Sequence, residues 1–350
     1  MADLLIPIAI SSQLDITGEE RVHAAKYNTT ERAVFVPPPP AVWVGEGTIL
    51  NLHKSVDGGL TFDPTANTGV INTSSNCLLR AGDRLYHWSY GEFTVTSVGG
   101  STWVPTTGLQ SIGAQASDAL KTPTEYLLFG ASIDGSFFAS ANGVDFVART
   151  MGGRTFGSPV QKGATTLVIS NSVSGGLAIS TDATNFTSYA IAGFNASDSL
   201  QRLIATQAGY MVFGRDTGGS LKIMKSLTGL SGSWTALTAP TTAPCFGAIQ
   251  ADNGRIVMVT LSGFTATAWY TDDDGSNWSN GGTFSYGSPD GYNAVSTRLA
   301  LLATVENRFY FFAKQGGGNN LVYRSADGTG GWTSVYNAVA HQPGGIVGYP

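Results

Sequence analysis

The acids, histidines and arginines of this chain are the groups that could do chemistry, and their spacing decides what they can do. Asp272-Asp273-Asp274-Gly275-Ser276-Asn277 has the acid density of a calcium loop. A helix–loop–helix calcium site, however, needs acids at alternate positions, Gly sixth and Glu twelfth, and this run lacks that order. A two-carboxylate glycosidase needs one pair of acids at a defined separation. Asp134, Asp145, Asp216, Asp252, Asp290 and Glu306 supply carboxylates, and nothing in the sequence pairs any two of them. His23, His53, His87 and His341 stand singly, away from any Ser or Cys motif, so neither a catalytic triad nor a zinc site is suggested. Arg84, Arg255 and Arg308 recur just before apolar runs. No catalytic, cofactor-binding or metal-ligating set emerges, and the expectation is a non-enzymatic protein without a cofactor.

The elements that would carry these residues form a repeat. Tyr323-Arg324-Ser325-Ala326-Asp327-Gly328-Thr329-Gly330-Gly331-Trp332 is its clearest unit. Ser and Asp side chains bond nearby backbone N–H groups, Gly takes positive φ cheaply, and a strand folds back on itself. Ser55-Val56-Asp57-Gly58-Gly59-Leu60-Thr61-Phe62 and Thr271-Asp272-Asp273-Asp274-Gly275-Ser276-Asn277-Trp278 are close copies. Ser140 to Phe146 and Ser180 to Phe186 are weaker, and the turns at Ser97 and Ser226 lack the Asp. The closing aromatics Phe62, Trp103, Phe146, Phe186, Trp234, Trp278 and Trp332 lie 40 to 54 residues apart. Short apolar runs precede most turns, among them Leu127-Leu128-Phe129, Ile256-Val257-Met258-Val259 and Phe309-Tyr310-Phe311-Phe312. Bounded by turn residues and too short for buried helices, they read as strands. Several short strands per repeat of this length are the signature of a propeller blade. Each blade reads as an inner strand, a middle strand, a third strand ending in the turn, and an outer strand.

In these turns the chain resembles the Asp-box, or bacterial-neuraminidase-repeat, β-propellers, over roughly residues 30 to 340. The resemblance implies an all-β fold, a single and most nearly seven-bladed propeller of four-stranded blades, with six to eight blades allowed by the degenerate turns. It also implies that the boxes are structural hairpins. Sialidases of that family carry an Arg-Ile-Pro motif near the N-terminus, a three-arginine clamp, a Tyr–Glu nucleophile pair and an Asp acid/base. No Arg-Ile-Pro occurs here, and the early arginines are Arg21 and Arg32, the latter followed by Ala33. The resemblance therefore carries the fold and leaves sialidase activity unsupported.

Composition narrows the partners. The 350 residues carry a net charge of −5, only 12% of them are charged and 45 are Gly, so neutral polar groups solvate the surface. No basic face suits nucleic acid, and no 18-residue apolar stretch suits membrane insertion. Residues 1–10 are apolar yet lack a basic leader, and no signal peptide is read there. On that reading the sequons at Asn28, Asn72, Asn185, Asn195 and Asn277 are chance occurrences. Cys77 and Cys245, in apolar surroundings, read as buried free thiols.

Residues 1–36 form a more polar, non-repeating arm, and Pro37-Pro38-Pro39-Pro40 is a stiff polyproline II joint. Residues 41–340 are the propeller, and 341–350 a tail too short for another unit. The arm either anchors the chain or supplies a strand closing the ring, and Thr333-Ser334-Val335-Tyr336 is the outer strand of the last blade or pairs with the N-terminal chain. Extra length around 282–295 and 315–320 marks loops suited to binding. Arm plus β-rich head is similar in layout to bacteriophage virion proteins such as tail fibres, spikes or decoration proteins. The expectation is a structural or receptor-binding virion protein, partnered by other virion proteins through the arm and by a host glycan or receptor through the head, with a homo-oligomer allowed. The alternatives are a carbohydrate-binding propeller at a bacterial surface or outside the cell, and a glycoside hydrolase of sialidase-like fold.

Overall fold

The computed structural model describes residues 40–46, 52–65, 77–89, 92–97, 102–109, 116–130, 136–151, 155–170, 176–195, 197–285, 302–314, 320–338 and 343–349. The chain divides into Met1–Pro38 and Pro39–Pro350, and the fold is that of the second unit. The arm, His23, Asp134, Asp290, His341, Asn28, Asn72 and most of the loops expected at 282–295 and 315–320 lie outside the described residues.

The strands follow in chain order. Blade 1 takes β1 (Ala41–Glu46), β2 (Leu52–Ser55) and β3 (Asp63–Thr65). Blade 2 is β4 (Cys77–Ala81), β5 (Arg84–Ser89), β6 (Glu92–Ser97) and β7 (Val104–Pro105). Blade 3 is β8 (Ala116–Lys121), β9 (Tyr126–Gly130), β10 (Ser136–Ser140) and β11 (Val147–Thr150). Blade 4 is β12 (Thr155–Lys162), β13 (Thr165–Ser170), β14 (Gly176–Ser180) and β15 (Thr187–Ala190). Blade 5 is β16 (Ser199–Ala205), β17 (Tyr210–Arg215), β18 (Leu221–Ser226) and β19 (Thr235–Leu237). Blade 6 is β20 (Cys245–Gln250), β21 (Ile256–Ser262), β22 (Thr265–Thr271) and β23 (Ser279–Ser285). Blade 7 is β24 (Leu302–Val305), β25 (Arg308–Lys314), β26 (Asn320–Ser325) and β27 (Thr333–Ala338). β28 (Pro343–Tyr349) returns to blade 1.

Each sheet is an antiparallel meander of four strands, and the first strands pack side by side around one axis, making a seven-bladed β-propeller. The second strands are apolar through their middle because both of their faces are covered by neighbouring blades. Phe309, Tyr310, Phe311 and Phe312 are all fully buried, and each such side chain contributes about 1.5–3 kcal/mol.

Ring closure falls to a segment expected to be a tail. Residues 343–349 supply β28, the innermost strand of blade 1, in register Ala41↔Tyr349, Val42↔Gly348, Trp43↔Val347 and Val44↔Ile346. Its glycines explain the placement. A Cβ on Gly345 would meet Leu78 O of β4 at 2.8 Å, and one on Gly348 would meet Thr304 O of β24 at 2.4 Å. Only a glycine-bearing strand fits between the two flanking inner strands. β27 is accordingly the outer strand of blade 7.

The boxed turns are wired internally in one manner, with substitutes where the Asp is missing. Gly59 N–H donates to Ser55 Oγ (2.8 Å), while Leu60 and Thr61 N–H donate to Asp57 Oδ1 (2.9 and 3.0 Å). Asp182 accepts from Thr184 and Asn185 N–H, and Asp273 from Asn277 N–H. In the weaker turn at Ser140, Asn142 Oδ1 takes the part of the carboxylate. In the turn at Ser226, Thr228 and Ser233 hydroxyls replace it. The closing aromatic of each turn packs on the preceding blade: Phe146 on Tyr86 (5.9 Å), Phe186 on Phe137 (5.3 Å), Trp278 on Phe213 (6.3 Å), Trp332 on Phe284 (5.2 Å), Phe62 on Tyr336 (5.0 Å).

The turn glycines press on the same neighbour. Gly328 has φ 79°, and a Cβ there would lie 2.4 Å from Val257 Cγ2 of blade 6; Gly331 has φ 60° with nothing within 4 Å. Gly331→Ala should cost about 1 kcal/mol, the left-handed backbone penalty alone. Gly328→Ala should cost about 3 kcal/mol, because crowding adds to it. Denaturant midpoints of the two variants compare them directly, and equal losses would refute the wedge between blades.

Candidate functional site

Because the strands alternate in direction, the first-to-second turns and the boxed turns share one end of the propeller, called here the box face. The second-to-third loops and the connections between blades share the other.

On the box face the exposed carboxylates are occupied by the fold. Asp57 is held well below the usual carboxylate range by Thr61 and Ser55 hydroxyls and backbone N–H groups. Asp182 is held there by Asn185 and Thr184, and Asp273 sits at about 2 through Thr271 and Asn277. Asp145 accepts from Thr107 and Asn142, and at the other end Asp216 accepts from Ser220 N–H. The run 272–274 splits in direction. Asp272 pairs with Arg255 (2.7 Å) while Asp273 serves the turn, and among the described residues no group of three His, Cys, Asp or Glu side chains could hold a metal ion.

The recurring arginines do not converge. Arg84 and Arg308 open their second strands and Arg255 immediately precedes one. Arg255 bridges Asp272 of its own box and Asp327 of the next (3.5 Å), and Arg308 holds Glu306 (2.6 Å). Arg255 alone of the three links two boxed turns.

Among the described residues, two cavities open on the box face. A cavity of about 310 Å³ lies at the channel mouth among the inner strands of blades 6, 7, 1 and 2, with Arg80, Asp252, Thr304 and Glu306 around an apolar floor of Leu302 and Ile346. It brings together Asp252 and Glu306, two acids that sequence spacing leaves unpaired. Arg80 is held there by Gly82 O (2.8 Å) and Gly348 O. A second cavity, of about 260 Å³, lies in the seam between blades 7 and 1, beside Pro40, Val42, Val56 and Arg308.

The channel wall holds groups that sequence reasoning missed. Inner strands β8, β12, β16 and β20 each carry a register shift, and bulges re-aim side chains. Asp118 on β8 accepts from Ala119 and Ser158 N–H (both 3.0 Å) and lies in the field of buried Arg202 on β16. Gln201 Oε1 accepts from Cys245 N–H (3.2 Å). The legible signal was a charge inside otherwise small and apolar inner-strand segments, Asp118 beside Ala119 and Arg202 beside Leu203. Cys245 is a buried free thiol, pushed up to about 12 by burial. His53 lies tilted against Tyr336 at 5.0 Å, and His87 is buried against Trp103.

Comparison with known proteins bears on the fold. No family model matches the chain, and no curated protein is found similar to it. Solved structures are similar. One is a protein of Bacteroides uniformis provisionally named a 6-phosphogluconolactonase, at 12% identity over 89% of this chain and 100% of that one, TM-score 0.61. Another is a protein from Lactobacillus plantarum, at 11% identity over 89% and 99%, TM-score 0.63. A third is YCF48 bound to D1 peptide, at 14% identity over 77% and 91%, TM-score 0.52. At such identities they share the propeller architecture with this chain.

Two buried titrating groups oppose each other. Burial raises the Asp118 carboxyl to about 6, against the pull of Arg202 and two N–H groups, and burial lowers the His87 imidazole to about 4. Asp118 favours folding while protonated, so its contribution is complete below its ordinary value of 3.8 and is lost as pH rises through about 6. His87 favours folding while neutral, so its contribution is complete above 6.5 and is lost as pH falls through about 4. Asp118→Asn removes the opposing partner. Its unfolding free energy should fall more steeply than the parent's on acidification from about pH 6 to 4, as measured by denaturant titration at each pH. Parallel profiles would refute the assignment.

Proposed function

We propose that the chain is a non-enzymatic display module of a bacteriophage particle, a propeller head on an N-terminal arm, turned toward host-surface glycans. The observation that carries this is the use made of the carboxylates. A general acid at neutral pH needs a raised carboxyl in reach of substrate. The turn carboxylates Asp57, Asp182 and Asp273 are instead held ionised by the hydrogen bonds that shape their turns. Asp118, which is raised, is part-buried on the channel wall and bound by two backbone N–H groups in the field of Arg202. What remains accessible is suited to holding a ligand. The channel mouth combines Arg80, Asp252, Thr304 and Glu306 over an apolar floor in about 310 Å³, the lower end of small-ligand pockets.

A surface solvated by neutral polar groups, with 12% of residues charged, favours a partner recognised by hydrogen bonds. The lactonase name of one structural neighbour offers a catalytic alternative, which would need an accessible acid/base pair tuned apart in pKa.

The arm supplies the test. Full-length chain and a chain starting at Ala41 are each incubated with phage particles lacking the protein and with host cells. The full chain should decorate particles and the shortened chain should not, while both attach to cells. Equal decoration would remove the anchoring role from the arm, and attachment to neither target would remove the display role.

A further inference from the structure

The two cavities of the box face share a wall. Val305 and Glu306 line both the channel-mouth cavity of about 310 Å³ and the seam cavity of about 260 Å³. We propose that these are the inner and outer subsites of one elongated site, divided by Glu306, for an uncharged oligosaccharide that presents vicinal hydroxyls to that carboxylate. This rests on the display reading above, and it gives the ligand a class, a minimum length and a contact residue.

Glu306 stands where the backbone favours glycine. The turns Gly82-Asp83, Gly163-Ala164 and Glu306-Asn307 each join the first and second strands of a blade through two residues. Their first residues share one left-handed conformation, Gly82 at φ 58°, Gly163 at φ 59° and Glu306 at φ 49°. Blades 2 and 4 fill it with glycine, and blade 7 with a residue that meets a steric cost there. The turn itself gains nothing from a glutamate, and a local rule broken in this way points to a use for the side chain.

The turn is also held from both sides. Asn307 Oδ1 accepts Asn253 N–H at 2.9 Å, tying the turn of Glu306 to the turn of Asp252 across the inner cavity. Arg308 Nη1 donates to Glu306 Oε2 at 2.6 Å, and its guanidinium lies 3.5 Å from where a Cβ on Gly58 of the blade 1 box would stand. The carboxylate is therefore placed before a ligand arrives, which lowers the ordering cost of binding. It remains accessible, with its side chain 51% exposed.

The lining sets the ligand class. The inner cavity sets Asp252 and Glu306 against Arg80 over Leu302 and Ile346, and the outer sets Asp57 and Glu306 against Arg308 beside Val56. Each subsite mixes both signs of charge, so a polyanion or a polycation meets like charge in both. Neighbouring hydroxyls of a sugar donate to a carboxylate and accept from a guanidinium, while its C–H face covers the apolar residues. The inner cavity alone is at the lower end of small-ligand pockets, so a ligand that gains from both must extend across Glu306.

The test titrates the full chain calorimetrically with neutral gluco-, galacto- and manno-configured mono-, di- and trisaccharides and with their uronic acid counterparts, and reads attachment to host cells and particles in parallel. The trisaccharide of at least one neutral series should bind about ten-fold or more tighter than its monosaccharide, the value of one charge-assisted hydrogen bond. Glu306→Gly should hold or raise the denaturant midpoint, because it relieves the turn, and should remove that ten-fold gain. Val56→Trp, which fills the outer cavity, should bring the trisaccharide to the monosaccharide's affinity and leave the monosaccharide unchanged. Phe264→Ala, at the other end of the propeller, should change neither. A lowered midpoint or unchanged trisaccharide binding in Glu306→Gly overturns the role of Glu306. Equal affinity of the parent for mono- and trisaccharides overturns the second subsite, and preference for uronic acids overturns the ligand class. Parent protein that attaches to host cells and binds no neutral sugar overturns this inference and leaves display standing, whereas attachment to neither cells nor particles removes display itself.

Discussion

The structure depends on one contact repeated around the ring: a boxed turn pressed against the blade before it. A four-stranded blade has two apolar faces and cannot bury either alone, so stability is a property of neighbours. The turn supplies the joint. Its Ser or Thr hydroxyl and its Asp satisfy the backbone N–H groups that a tight reversal would orphan. Its glycine lets backbone approach the neighbouring side chains, as Gly328 approaches Val257 and Gly59 approaches Tyr310. Its aromatic fills the remaining gap. Tyr side chains of the preceding blade complete the joint from the other side, Tyr310 Oη donating to Gly58 O (2.8 Å) and Tyr86 Oη to Gly143 O (3.1 Å).

A ring of such joints is stable only when closed, and closure is made by β28. The strand that seals blade 1 is separated in sequence from its partners β1 to β3 by the whole of the propeller, so blade 1 is not complete until the chain has run its course. This gives the ring high contact order and makes slow folding the expectation. It also places the chain's approach at Pro40 on the box face, beside the seam between blades 7 and 1.

The blades were legible because each residue type in the box has a local duty. Asp57 bonds Leu60 and Thr61 within its own turn, so the pattern Ser-x-Asp-Gly survives as a readable string. The degenerate copy at Ser226 was legible through Ser and Trp alone, and its missing carboxylate is replaced by hydroxyls three-dimensionally equivalent to it. β28 was not legible as a strand because its role is set by non-local crowding: Gly345 and Gly348 are required by Leu78 O and Thr304 O, on strands far away in sequence. Asp118 and Arg202 escaped notice for the same reason. They sit 84 positions apart on β8 and β16, and what relates them is the curvature of the inner ring. Asp252 and Glu306 likewise meet at one cavity only because the inner strands of blades 6 and 7 pack side by side.

The two ends of the propeller are therefore under different physical demands. At the box face nearly every side chain of a turn is committed, the Asp to N–H groups, the glycine to close approach, the aromatic to the next blade, so substitution there is paid for in ring stability. Among the described residues the opposite end shows no such joint. The β21–β22 hairpin turns through Gly263 with nothing within 4 Å of its would-be Cβ, and Gly219 is equally open. Loops free of packing duty can change composition without loosening the blades. A rigid end and a permissive end on one disc divide the molecule by physics before any partner is considered, and the chain joins it at the rigid end.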